Sequence, residues 1–93
     1  MPAEQLFSLG EVFITPGADE ALTDAGHLPN EFLGRHAVGD WGEIDEHDRQ
    51  INEFSVRNSL RILSAYRTRK DARLWIITEA TRESIIILLP EEY

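Results

Sequence analysis

The chain has 93 residues, 42% of them hydrophobic and 28% charged, the balance of a single small globular domain over residues 1–93 rather than of a disordered segment. It has no cysteine, which excludes disulfides, thiolate metal sites and cysteine nucleophiles. The longest apolar run, Ile85 to Leu89, falls far short of the about 20 residues of a membrane span, and MPAEQLFSLGEVF lacks the features of a secretory signal, so a soluble cytoplasmic protein is expected.

In chain order, Glu11–Thr15 is short, β-branched and aromatic, and predicts a strand. Thr15-Pro16 then starts a helix, with Thr15 as N-cap, Asp19 and Glu20 near the positive end of its dipole, and Gly26 closing it. Leu28-Pro29-Asn30 opens a second short helix containing Phe32 and Leu33, and His36 falls at its end. His27, beside Gly26 in the helix–helix turn, is expected to face solvent. Val38–Gly42 reads as a turn, two glycines bracketing Asp40 and Trp41. An acidic helix follows over Asp45–Val56, and the spacing of Ile51, Phe54 and His47 predicts its buried face. Leu60–Thr68, Arg73–Glu79 and Ser84–Leu89 predict three strands joined by hairpin loops, with Pro90 stopping the last. The expected fold is α+β: a short N-terminal strand and helices packed on a three- to four-stranded antiparallel meander.

Charge divides the chain unevenly. Residues 1–56 hold twelve acids against Arg35 and Arg49, leaving -10, whereas residues 57–93 hold seven basic groups against five acids, leaving +2 and a total of -8. Such a field repels phosphate backbones, so no direct DNA binding is expected. It serves solubility, and it also suits a basic protein surface of the kind that handles nucleic acid. Asp40, Trp41, Asp45, Glu46, Asp48 and Glu53 are the candidate partner-binding residues. Trp41 either pins its turn onto the domain or projects towards the partner.

Two groupings of residues around His36 offer chemistry. His36 stands four residues before Asp40, a spacing from which a carboxylate could orient a general base. His36, Glu79 and Arg82 could act as acid, base and phosphate-binding cation of a metal-independent ribonuclease. In that reading Ser64, Tyr66 and Thr78 form a polar surface, and Arg67, Arg69, Lys70 and Arg73 hold the strand. The plainer reading of the same histidine is one that caps or packs a helix end, and of the basic hairpin tip a solvated turn guarding a sheet edge. No metal site is expected, because Asp45, His47 and Asp48 lack ligand spacing; no cofactor is expected, because there is no glycine-rich phosphate loop or dinucleotide fingerprint.

Taken together, LFSLGEVFITPGADEAL, HAVGDWG and RILSAY…LWIITEA…ILLPEEY resemble a small bacterial family carried on plasmids and other mobile elements. Its members are labelled plasmid-related proteins or type I restriction modification subunits. The resemblance covers nearly the whole chain and implies a mobile-element protein, without catalytic residues to carry over. A methyltransferase subunit in the literal sense needs a nucleotide-type cofactor site on a large α/β sheet, for which this chain is too short. A layout of helices followed by a meander is similar, by analogy, to barnase, colicin and RelE-type ribonucleases. The expectation is therefore a non-enzymatic binding module of a mobile element acting on a host defence or nucleic-acid-handling protein. The alternatives are the small ribonuclease and a homodimer paired through an exposed edge strand Ser84–Leu89.

Overall fold

The computed structural model describes residues 4–93. Its elements run β1 (Glu11–Ile14), α1 (Pro16–Ala25), α2 (Pro29–Ala37), α3 (Glu46–Asn58), β2 (Ile62–Arg67), β3 (Arg73–Thr78), β4 (Ser84–Leu88) and a 3-10 turn over Pro90–Glu92. The class is α+β, as the sequence predicts. The sheet is mixed rather than antiparallel: strand order is β1-β4-β3-β2, with β1 parallel to β4 and the other pairs antiparallel. β4 is thus an interior strand, and the expected edge-to-edge dimer through Ser84–Leu89 has no free edge to use. Its apolar run is explained by the neighbours on both sides.

Local chemistry sets the ends of these elements. The Thr15 hydroxyl accepts from Ala18 N–H at 3.2 Å, and the Glu92 carboxylate accepts from Gly17 N–H at 3.1 Å, so a residue from the far end of the chain caps α1. Gly10 lets β1 enter beside the β3–β4 turn, since a Cβ there would lie 2.3 Å from the Glu83 carbonyl.

Strand alternation gives the sheet two unlike faces. Ile62, Ser64, Tyr66, Leu74, Ile76, Thr78, Ile85 and Ile87 point to the face covered by α1 and α2, where Ala18, Leu22, Phe32 and Leu33 complete the core. The opposite face carries Phe13, Ile86, Ile77 and Leu63 in one row, with Trp75 and Leu88 beside it. α1 and α2 do not reach that face.

α3 corrects the sequence reading. Ile51 and Phe54, expected to be buried, are 46% and 52% exposed, and His47 is exposed; Asn52 and Ser55 face inward instead. The backbone of β2 decides this rotation. Asn52 donates its side-chain amide to Leu63 C=O at 2.7 Å and accepts from Leu63 N–H at 3.2 Å. Two residues on, Ala65 N–H donates to Trp41 C=O and Ala65 C=O accepts from Glu43 N–H, at 3.0 and 2.6 Å. The outer edge of β2 is therefore satisfied twice, by a side chain and by a one-residue bridge at Gly42.

Candidate functional site

His36 lies on the inner side of α2, four residues after Phe32, and is 0% exposed. Its Nδ1 is hydrogen-bonded to Ser64 Oγ and its Nε2 to Thr78 Oγ1, at 2.8 Å for the latter. A neutral imidazole has one donor and one acceptor nitrogen, and two hydroxyls satisfy both. Phe7 and Trp41 close over the ring edge-on, with centroids 5.3 and 5.7 Å away. Burial, and secondarily the charge of Arg82, push its pKa down from 6.5 to about 4. The ring is neutral at pH 7, fully buried, and both of its nitrogens are engaged.

The polar sheet residues expected on an open surface, Ser64, Tyr66 and Thr78, instead face the helices and are buried. Tyr66 donates to Asp40 C=O at 2.6 Å, and burial pushes its pKa up to about 12. The expected pairing of Asp40 with His36 does not form. Asp40 is held by Arg35 through Nε at 2.7 Å and Nη2 at 3.3 Å, which keeps its carboxyl below the usual range. That arginine also stacks on the Tyr66 ring at 4.6 Å.

Glu79, Arg82 and His36 do not assemble a reaction centre. Arg82 Nη1 donates to Leu60 C=O at 2.7 Å and Glu79 C=O at 3.0 Å, and its Nη2 to Ser55 C=O at 2.9 Å. Its guanidinium thereby ties the end of α3 to the β3–β4 turn. The Glu79 carboxylate pairs with Arg61 at 3.7 Å on the opposite sheet face.

The basic hairpin tip is likewise engaged: Arg67 with Glu43, Lys70 with Asp24, and Arg69 with His27. His27 is largely covered rather than solvent-facing, because its ring bonds Glu31 and packs on Phe32. Its Nδ1 lies 2.7 Å from the Glu31 carboxylate, which lowers the Glu31 pKa.

Trp41 is 2% exposed, so it pins the 38–42 turn instead of projecting to a partner. The acids of α3 are arranged otherwise. Asp45 caps the helix by accepting from Asp48 N–H at 2.8 Å; Glu46 pairs with Arg49 at 3.6 Å. Asp45, Glu46, Asp48 and Glu53 are all exposed, and Ile51 and Phe54 lie among them. Beside α3 a groove of about 330 Å³ runs over the open sheet face, with Asp48, Ile51, Leu63, Trp75, Ile77 and Tyr93 on its walls. Among the described residues, no three His, Asp or Glu side chains are grouped to hold a metal ion, and no helix is long and apolar enough to cross a membrane.

No family model, curated protein or solved structure matches this chain. The exposed apolar side chains of α3 and the groove beside it are surface features that the sequence does not foretell. Their signal was present in Ile51 and Phe54, and periodicity assigned those residues to the interior.

Proposed function

We propose that this chain is a small, acidic, non-enzymatic protein-binding module of a mobile genetic element, acting in the cytoplasm on a basic host protein that handles nucleic acid. One observation carries the reading: α3 exposes large apolar side chains in the midst of carboxylates while burying its polar Asn52 and Ser55. Ile51 and Phe54 supply desolvation energy, and Asp45, Glu46, Asp48 and Glu53 supply attraction to a cationic surface. Arg49 and Arg57 leave the helix acidic on balance. The resemblance to plasmid-borne proteins supports the mobile-element origin. The burial of His36 and the engagement of Arg82 with backbone carbonyls weigh against the ribonuclease alternative.

The test is capture of host proteins by the immobilised full chain at low and high salt, beside the variants Glu46→Lys/Glu53→Lys and Phe54→Ser. The expected result is a nucleic-acid-handling partner held by the wild type, released by salt and lost from both variants while circular dichroism stays unchanged. Equal capture by wild type and variants overturns the assignment of α3.

A further inference from the structure

We propose that the open face of the sheet is where two copies of this chain associate about a two-fold axis. The register places Phe13, Ile86, Ile77 and Leu63 in a single apolar row crossing all four strands, with Trp75 and Leu88 in the next row. Phe13 is 48% exposed and Ile86, Leu63 and Trp75 are half-buried, while Ile77 and Leu88 between them are already covered, at 2% and 4%. Tyr93 lies across this face, edge-on to Trp75 at 5.7 Å and bonded to Arg61 through its hydroxyl at 2.8 Å. Ile51 of α3 forms the opposite flank.

Size permits such a contact. Four strands about 4.8 Å apart, each contributing about five residues at roughly 3.3 Å, give a flat footprint of roughly 300 Å². A contact over such a footprint, with Tyr93 as a flank, belongs to the small class that forms weak, reversible complexes. Contiguous exposed apolar side chains rimmed by polar residues mark interaction surfaces.

Charge selects the occupant. Around the face stand Arg61, Arg67 and Arg73 against Glu11, Glu43, Asp48 and Glu79, close to balance in a chain of net charge -8. Asp19, Glu20, Asp24 and Glu31 lie in the helical layer beyond the other face, and two copies joined sheet to sheet would hold those acids on opposite outer surfaces. A two-fold contact needs a self-complementary patch, and interspersed charges of both signs around an apolar centre provide one. A strongly basic partner finds its best match elsewhere, on α3. This inference is separable from the binding function: it centres on the sheet, shares only Ile51 and Asp48 at its margin with the acidic face of α3, and has the opposite salt dependence.

Analytical ultracentrifugation of the full chain from micromolar to millimolar concentration tests it, with the Trp75 indole resonance as a local reporter. The expected result is a reversible monomer–dimer equilibrium that tightens with salt, because salt screens the repulsion of like net charges. Phe13→Asp and Ile86→Lys should each raise the dissociation constant about tenfold or more, and the Trp75 signal should lose its concentration dependence. Phe13 is half-exposed, so Phe13→Asp leaves the fold intact and decides the matter if Ile86→Lys does not fold. A monomer at millimolar concentration in high salt overturns the proposal. So does a dimer indifferent to Phe13→Asp whose new amide protection is confined to β1, which would mean edge-to-edge pairing.

Discussion

Acidifying the protein through the range in which free histidine titrates should destabilise it through one residue. His36 has a pKa of about 4 in the folded chain against 6.5 for a free ring, and it is fully buried. Above pH 6.5 the ring is neutral in both states and its environment costs nothing extra. Between 6.5 and about 4 the unfolded chain binds a proton that the folded chain refuses, so stability falls as pH falls. The full gap is worth about 3 kcal/mol, of which about 2 kcal/mol is lost by pH 5. For a domain of this size that is a drop in melting temperature of about 10 °C. Carboxyl groups held low by their partners, Asp40 by Arg35 and Glu92 by Thr15, lose their contributions only at lower pH, which leaves the window from 7 to 5 to histidine. Urea titrations at several pH values, on wild type and His36→Gln, measure the effect; the variant should show a much flatter profile over that window. A wild-type midpoint that does not move between pH 7 and 5, or the same fall in His36→Gln, would refute the reasoning.

Three further substitutions probe the architecture. Asn52→Ala strips Leu63 of both backbone partners and should cost about 2–3 kcal/mol by urea unfolding, with faster aggregation as the β2 edge opens. Gly42→Ala places a Cβ 2.0 Å from the Ala65 carbonyl at a residue of φ 76°, and thermal melts should show a loss of about 3 kcal/mol. Phe54→Ala should shift stability by no more than about 0.5 kcal/mol in dilute solution, whereas a core phenylalanine would lose about 3–5 kcal/mol.

The strands and the first two helices were legible because their signals are local. Thr15-Pro16 and Gly26 mark both ends of α1, and β-branched runs bounded by turn residues mark β2, β3 and β4. The place of β1 was not legible, since no local pattern tells a short strand which distant strand it joins or in which direction. Periodicity placed α3 correctly along the chain and rotated it wrongly. Ranking residues by hydrophobicity cannot anticipate that the edge of β2 needs a side-chain amide more than the interior needs Ile51. Composition alone marks the acids of α3, which the structure leaves exposed. The core takes Trp41, whereas its neighbour Asp40 stays exposed in an ion pair with Arg35, a division that adjacency in sequence does not foretell. The inward position of His36 was readable in outline, since it falls on one helical stripe with Phe32 and Leu33. Its hydroxyl partners come from strands 28 and 42 residues away, and those no spacing rule supplies.

The parallel pairing of β1 with β4 also has a kinetic meaning. β4 is inserted between β1 and β3, so residues 11–14 find their sheet partner only when residues 84–87 have been made and have emerged from the ribosome. Until then Val12, Phe13 and Ile14 have no ladder to join, and the core face formed by Ile85 and Ile87 is missing. Closing a loop of some seventy residues is entropically expensive and comes before any of that burial is gained. A ribosome-bound chain should therefore leave its sheet incomplete until β4 has emerged. The whole domain then forms in one late step, during which its apolar strands depend on speed or on chaperones to avoid one another.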